Sequence, residues 1–166
     1  MVSMKQAAPA KAEPSPVVEL RELHKSFGAL EVLKGISFTA REGQVVSLIG
    51  SSGSGKSTLL RCINMLEIPD SGDVLIDGEA IVLKGNGQGR SIGDEHQIRR
   101  IRSELGMVFQ SFNLWAHMTI LENVMEAPLV VQKRDRFEVE AEARAMLDKV
   151  GIGDKADAYP AQLSGG

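Results

Sequence analysis

The chain has 166 residues, of which 25% are charged and 43% hydrophobic, and its formal net charge is −3. This length suits one hydrophobic core, and the slightly acidic balance gives no reason to expect nucleic acid as a partner. A single cysteine excludes an intrachain disulfide, and no apolar run approaches the roughly 18 residues that span a bilayer.

Residues 1–16 mix Lys, Glu, Ala and Pro without an apolar segment. This composition predicts a disordered tail rather than a secretory signal. Residues 17–23 follow as a predicted strand, because apolar and polar residues alternate there, with Leu20 and Leu23 on opposite faces.

Residues 36–40 alternate more cleanly and predict a second strand, with a turn at residues 25–28 between the two. We therefore expect a small antiparallel sheet at the start of the chain. Residues 45–49 are then apolar almost throughout, which is typical of a parallel-sheet strand that is buried on both faces.

The next nine residues have the P-loop spacing: Gly50, four residues, then Gly55, Lys56 and Ser57. Glycines allow successive N–H groups to face an anion, and the helix that follows adds the positive end of its dipole. Lys56 can reach the β- and γ-phosphates, and the Ser57 hydroxyl can ligate Mg²⁺. A glycine turn before an ordinary helix is the alternative. The predicted nucleotide-binding residues are Gly50, Ser51, Ser52, Gly53, Ser54, Gly55, Lys56, Ser57 and Thr58.

The helix that begins at Lys56 is expected to end near Glu67, because Pro69 does not continue a helix. Cys62 lies on the apolar face of this helix, which favours a packed core thiol over a reactive one. Residues 73–77 predict another short strand.

Residues 83–102 are polar and rich in glycine, which indicates a surface excursion that leads into a helix near residues 97–103. Residues 105–109 regain the apolar character of a strand. This strand would place Gln110 at its end.

Two helices are predicted in the last third of the chain. Residues 119–132 have a helical pattern that Pro128 interrupts, and Asp135 is a candidate N-cap for the second helix. Gly151 is a suitable stop for that helix. Its expected apolar face consists of Val139, Ala143, Met146, Leu147 and Val150.

Three features now stand in one order: the P-loop, a glutamine after residues 108–109, and the sequence Leu-Ser-Gly-Gly at residues 163–166. Together they resemble the ATP-binding subunit of an ABC transporter. Residues 61–64, 112–119 and 122–128 are similar to the polar amino acid uptake subfamily, and they resemble the histidine permease type, which serves basic amino acids.

The resemblance covers residues 17–166 and implies an α/β fold. The expected parts are a P-loop NTPase core of the ABC ATPase type with an incomplete parallel sheet, an N-terminal antiparallel β subdomain, and a helical subdomain over about residues 111–166. It also implies ATP and Mg²⁺ as ligands, and uptake of histidine, arginine, lysine or ornithine by the full-length parent.

The resemblance assigns roles to residues outside the P-loop. Phe27 corresponds to the aromatic residue that stacks on adenine, although a core phenylalanine is the alternative. Gln110 corresponds to the Q-loop glutamine, which contacts Mg²⁺, as Ser57 does, or the attacking water, although a plain strand-end glutamine is the alternative. The signature motif binds the γ-phosphate of ATP held by a second protomer in a head-to-tail homodimer, and its residues here are Leu163, Ser164, Gly165 and Gly166.

The implied partners are transmembrane permease subunits and, indirectly, a periplasmic or extracellular amino-acid-binding protein. The protein would then lie at the cytoplasmic face of the membrane as a peripheral subunit. An ordinary apolar core is the alternative for the residues that would dock on the permease, which are Phe112, Leu114, Trp115 and Met118.

None of the 166 residues matches the family's Mg²⁺-binding aspartate, its water-polarising glutamate or its switch histidine, and His117 is not equivalent to the last. We therefore expect hydrolysis by a longer parent and nucleotide binding without turnover by these residues alone. A non-catalytic module that regulates full-length protomers and an ABC ATPase with another substrate remain as alternatives. A kinase or GTPase is disfavoured, since the guanine-reading Asn-Lys-x-Asp is absent and no acceptor-binding element is recognisable.

Overall fold

The computed structural model describes residues 14–163 of the chain. The chain divides into two compact units, Met1–Met107 and Val108–Gly166, which we call the N-terminal unit and the helical unit. Most of the predicted tail and the last three signature residues lie outside the described residues. Within residues 14–163, no helix has the length and apolar character needed to cross a bilayer.

An antiparallel sheet forms the first part of the N-terminal unit. Its strands are β1 (Pro16–Phe27), β2 (Leu30–Arg41), β3 (Ser71–Ile76) and β4 (Glu79–Ala80), in the order β2-β1-β3-β4. Each neighbouring pair is antiparallel, so the predicted small antiparallel sheet is confirmed.

The structure corrects the faces predicted for β1. Leu20 and Leu23 are both buried, because the register shifts between them and Glu22 takes a φ of 46°. A β-bulge adds one residue to a strand and so resets its two-residue alternation. The turn predicted at residues 25–28 is also shorter, since β1 continues through Phe27.

The helix after the P-loop, α1 (Lys56–Ile63), ends earlier than the predicted Glu67. Arg102 binds the residues that follow the helix, since its guanidinium donates to the carbonyls of the C-cap Asn64 at 3.1 Å and of Met65 at 2.7 Å. These bonds give partners to carbonyl groups just past the helix end.

The predicted polar excursion contains two short strands, β5 (Leu83–Lys84) and β6 (Ser91–Ile92), joined through a 3-10 turn at Gly87–Gly89. The helix after it, α2 (Glu95–Glu104), begins two residues before the predicted range. Its N-cap is Asp94, which fixes the start.

The core of the N-terminal unit lies between the sheet and helices α1 and α2. Cys62 is fully buried in it, as the apolar face of α1 predicts, and burial raises the pKa of its thiol to about 12. The other buried residues of this core are Leu20, Leu23, Leu33, Leu59, Met65, Val74, Ile76, Ile81, Ile98 and Ile101.

Two predicted strands are wrong. Residues 45–49 and 105–109 have no strand structure, and Val45, Ile49 and Val108 are each more than 90% exposed. A strand of a parallel sheet exists only when neighbours accept and donate its backbone hydrogen bonds. Within residues 14–163 every strand pair is antiparallel, and none includes either segment.

The helical unit contains α3 (Ile120–Val130) and α4 (Arg136–Lys149). Pro128 lies inside α3 instead of interrupting it. A proline removes one helical hydrogen bond, and α3 ends two residues later at Val130. Asp135 is the N-cap of α4, as predicted, and accepts the N–H groups of Phe137 and Glu138.

The apolar face of α4 is narrower than its sequence suggests. Val139, Ala143 and Leu147 are buried against α3, whereas Met146 and Val150 are 63% and 69% exposed. Helical spacing selects a stripe of residues, but the width that is buried depends on how many elements cover the stripe. Gly151 follows with a φ of 79°, as a helix stop requires.

Candidate functional site

The P-loop, residues 50–58, takes a backbone course that depends on glycine. Gly53 and Gly55 have φ angles of 78° and 90°, in the left-handed region that other residues enter only with strain. Gly55 is also the N-cap of α1. The first hydrogen bond of the helix runs from the Leu59 N–H to the Gly55 carbonyl at 2.8 Å.

The N-terminus of α1 has no side-chain cap. Gly55 carries no acceptor, and the first turn of the helix contains no acidic residue. The N–H groups of Lys56, Ser57 and Thr58 therefore have no partner within the helix and point from its positive end. Such a helix start is suited to an anion.

Gly55 is also the point where the loop approaches β2. A Cβ at this position would lie 3.0 Å from Val32 Cγ1 and 3.1 Å from Leu33 Cδ2. The absence of a side chain thus allows the loop to rest on the sheet, in addition to allowing its left-handed backbone. Both requirements point to glycine at this residue.

The Lys56 side chain lies across the loop that precedes it. Its ammonium donates to the carbonyls of Gly50 at 2.9 Å and Ser51 at 2.6 Å, and to Ser54 Oγ at 3.2 Å. These acceptors are uncharged, and a phosphate oxygen is a stronger acceptor for an ammonium. The lysine is therefore placed to exchange loop carbonyls for phosphate.

Open cavities lie beside residues 45–49. One, of about 430 Å³, is lined by Val32, Leu48, Gly50 and Lys56, among others. Another, of about 470 Å³, is more apolar and is lined by residues that include Leu48, Phe38 and Lys56. The P-loop lysine thus borders both.

Phe27, the predicted adenine contact, is the last residue of β1 and is 47% exposed. The Lys25 ammonium lies 5.2 Å from the centroid of its ring. The Gly28 carbonyl, next along the chain, accepts a hydrogen bond from the Gln88 side chain at 2.8 Å. Phe27 belongs to the same unit as the P-loop, and its contact with adenine stays a prediction.

Gln110 and the predicted docking residues belong to the helical unit. Phe112 and Trp115 are 75% and 60% exposed, so an ordinary buried core does not explain them. Met118 and His117 line a groove of about 310 Å³ beside α3. These positions do not test the roles predicted for Gln110 and the docking residues, and those roles stay predictions.

Asn123 lies in the segment 122–128 that resembles the subfamily, but the sequence predicts no role for it. Its Oδ1 accepts the Trp115 N–H at 2.7 Å, and its Nδ2 donates to the carbonyls of Trp115 at 3.1 Å and Thr119 at 2.9 Å. One side chain therefore fixes the loop that presents Trp115. The sequence signal for this role is an amide side chain one turn inside α3, a helix whose start carries a capping box.

Of the signature motif, only Leu163 is described, and it packs against the core of the helical unit. Ser164, Gly165 and Gly166 lie outside the described residues, so their contact with nucleotide stays a prediction. Among residues 14–163, no cluster of three or more His, Cys, Asp or Glu side chains is arranged to hold a metal ion.

The family model described as ABC transporter matches residues 33–166, which include the whole P-loop. The chain belongs to the ABC transporter family. Its fold is accordingly the mixed α/β fold of an ABC ATPase domain with an antiparallel β subdomain, as the resemblance implied. The predicted parallel sheet is not formed within residues 14–163.

Curated relatives of this family member include two transport ATP-binding proteins. The chain is 58% identical over 152 residues to the nopaline permease ATP-binding protein P of Agrobacterium fabrum, covering 91% of the chain and 59% of the relative. It is 52% identical over 147 residues to the histidine/lysine/arginine/ornithine transport ATP-binding protein HisP of Salmonella typhimurium, covering 87% of the chain and 57% of the relative. The predicted subfamily is thereby confirmed.

A solved structure supports the same fold. The protein cbiO1 from Clostridium perfringens, part of the ABC transporter complex cbiONQ, is similar with a TM-score of 0.70 and 25% identity. The match covers 90% of the chain and 56% of that protein. The chain thus spans somewhat more than half the length of the relatives that it matches.

Proposed function

We propose that this chain is the nucleotide-binding part of an ATP-hydrolysing subunit that drives an ABC importer of polar or basic amino acids. The observation that carries the proposal is the uncapped start of α1 beneath a glycine loop, with the Lys56 ammonium lying across that loop. A family member with this geometry has the donors that a triphosphate requires.

Residues 50–58 fit ATP through their backbone N–H groups and Lys56, and Phe27 is the proposed partner of the adenine ring. Mg²⁺ bound with ATP would neutralise charge on the phosphates. Its proposed ligands here are the Ser57 hydroxyl and the Gln110 side-chain oxygen, because Mg²⁺ prefers oxygen ligands.

The proposed site is completed by a second protomer. Residues 17–166 would form most of an ABC ATP-binding domain, with a helical subdomain over about residues 111–166. Leu163 and the three residues after it would contact the γ-phosphate of ATP held by the partner in a head-to-tail homodimer. Hydrolysis needs an aspartate and a glutamate that none of these 166 residues supplies, so we assign it to a longer protein.

The helical unit is the proposed site of contact with permease subunits at the cytoplasmic face of the membrane. Support comes from the exposed Phe112 and Trp115, and from the groove at Met118. Leu114 is 39% exposed and belongs to the same proposed surface. Aromatic residues and methionine are enriched where proteins bind one another.

Basic amino acids are the proposed cargo, because the names of the relatives refer to histidine, lysine, arginine, ornithine and nopaline. An amino-acid-binding protein would deliver the cargo to the permease. Neither the cargo nor the amino-acid-binding protein would contact the nucleotide site. Their proposed identity therefore rests on the family and not on the P-loop.

Equilibrium binding of MgATP to the purified chain tests the nucleotide site. We expect binding that inorganic tripolyphosphate competes for, and no phosphate release over many turnovers. A chain that binds neither ligand contradicts the proposed site, and sustained hydrolysis contradicts its assignment to a longer protein.

Uptake by the native cells tests the transport function. Deletion of the coding sequence should reduce uptake of radiolabelled arginine, histidine, lysine or ornithine and leave leucine uptake unchanged. The restored native gene should recover uptake, whereas the same gene carrying Lys56→Ala should not. An equal effect on leucine would contradict the proposed substrate class.

A further inference from the structure

The ring of Phe27 has a charged neighbour within the fold. The Lys25 ammonium lies 5.2 Å from the ring centroid, within the range at which a cation is attracted to an aromatic face. The Lys25 side chain is only 13% exposed, whereas Phe27 is 47% exposed. One part of the ring is therefore held by the protein while another part faces solvent.

The position of Lys25 is determined by three acceptors. Its ammonium donates to the Ile68 carbonyl at 2.8 Å and lies 3.7 Å from both Glu67 Oε2 and Asp70 Oδ1. A lysine side chain in solvent has many rotamers, but these acceptors restrict this one to a single place. The charge beside the ring is thus built into the fold.

Asp70 is the most constrained of these acceptors. It is 9% exposed, its Oδ2 accepts the Ser26 N–H at 2.7 Å, and its own N–H donates to the His24 carbonyl at 2.8 Å. Oδ1 is buried and has no hydrogen-bond partner within residues 14–163. A buried carboxylate oxygen without a donor is costly, so the nearby ammonium of Lys25 is its compensating charge.

These contacts hold the end of β1, the strand that carries Phe27. Asp70 binds the backbone on both sides of Lys25, and Lys25 contacts the ring two residues further along the same strand. We propose that Lys25, anchored by Asp70, is a positioning residue that fixes the Phe27 ring for stacking on adenine. This inference rests on the proposed function, because it requires Phe27 to contact the base.

The physical advantage is preorganisation. A ring that is already held in one orientation loses less rotamer entropy when a base stacks on its free part. A lysine that only stabilised the fold would affect every ligand of the P-loop equally. A positioning residue instead affects ligands that carry a base, and this difference can be measured.

The test compares MgATP with magnesium tripolyphosphate, which lacks the base, by equilibrium binding to the 166-residue chain. We expect Lys25→Met to weaken ATP binding about threefold and to leave tripolyphosphate binding unchanged. Lys25→Arg keeps the charge and should retain most of the ATP affinity. Lys34→Met removes one exposed charge from β2 as a matched control, and neither affinity should change.

Phe27→Ala completes the comparison. It should weaken ATP about tenfold, and adding Lys25→Met to it should have no further effect, because the ring is then gone. Equal losses for ATP and tripolyphosphate in Lys25→Met, or an undiminished effect in the Phe27→Ala background, would overturn the inference.

Failure of the proposed function gives results that differ from failure of the inference about Lys25. If Phe27→Ala leaves the preference for ATP over tripolyphosphate unchanged, Phe27 does not stack on adenine and the inference falls with it. If the native chain binds neither ligand, the P-loop assignment itself fails. Should Lys25→Met not fold by circular dichroism, Glu67→Gln loosens one anchor and keeps Asp70, and a loss confined to ATP is again expected.

Discussion

The starts of helices α1 and α3 are built in opposite ways. Thr119 and Glu122 at the start of α3 form a capping box, with hydrogen bonds of 3.2 Å and 2.8 Å between each side chain and the other's N–H. Gly55 at the start of α1 has no side chain to offer. The start of α3 satisfies its own donors with side chains, whereas the start of α1 leaves its donors without a side-chain partner.

Helices α2 and α4 follow the pattern of α3, since Asp94 and Asp135 accept N–H groups of their first turns. The α1 start is therefore the exception among the four α-helices of the described residues. Because the other three show that the chain can cap a helix, the open start of α1 supports the proposed nucleotide site. Substitutions in the P-loop should therefore weaken ligand binding, whereas a substitution at a capped helix start should lower stability without affecting binding.

The largest effect is expected from Lys56→Ala. Its ammonium donates to the P-loop carbonyls of Gly50 and Ser51, and a hydrogen bond from a charged donor contributes about 1.5–3 kcal/mol. Tripolyphosphate affinity should therefore fall by about tenfold to a hundredfold in calorimetric titration. Lys34→Ala serves as the control, and an equal loss there would show that only net charge matters.

Gly55→Ala should have the next largest effect. The left-handed backbone at this residue costs about 1–2 kcal/mol for alanine, and the new methyl group would crowd Val32 and Leu33. Chemical denaturation should show the lost stability, and phosphate affinity should fall as well. Gly53→Ala has the same backbone strain but open space, so a smaller loss is expected. Equal losses of stability in the two variants would show that crowding against Val32 and Leu33 of β2 does not contribute.

Thr119→Ala should lower stability by about 1 kcal/mol, the usual contribution of an N-cap, without weakening tripolyphosphate binding. Urea denaturation measures the first quantity and titration the second. Thr119→Ser keeps the hydroxyl and should restore most of the stability. A parallel loss of phosphate affinity would remove the distinction between capped and open starts.

The smallest effect is a pH dependence at the start of α2. Hydrogen bonds from the N–H groups of Gln97 and His96 hold the pKa of Asp94 below its ordinary value. A lowered folded-state pKa stabilises the protein above the unfolded pKa of about 4, and this stability is lost as pH falls through the folded value. Asp94→Asn should flatten that part of the stability–pH curve, measured by thermal unfolding between pH 2 and 6. An unchanged curve would contradict the assignment.

Features that depend on neighbours in the chain could be predicted. The P-loop, the Asp135 cap and the Gly151 stop each involve residues within about one or two helical turns. The packed thiol of Cys62 also followed from the helical spacing of α1. The antiparallel pairing of the first two strands needed only alternation and a nearby turn.

Features that depend on distant residues could not be predicted. The bulge at Glu22 arises where β1 must pair with β2 and β3 at once, and no local pattern marks it. Residues 45–49 are apolar enough for a buried strand, yet a strand forms only where a neighbour supplies hydrogen bonds. Met146 fits the helical stripe but is exposed, because packing decides how much of the stripe is covered.

The same division applies to the candidate site. The glycines, Lys56 and Ser57 of the P-loop can be recognised in the sequence, because that motif works through its own backbone. The bond by which Asp70, 44 residues after Ser26, holds the strand that carries Phe27 is visible only in the folded chain. Local motifs are set by short-range backbone geometry, whereas the charge pairs that orient them form only when the folded chain buries both partners.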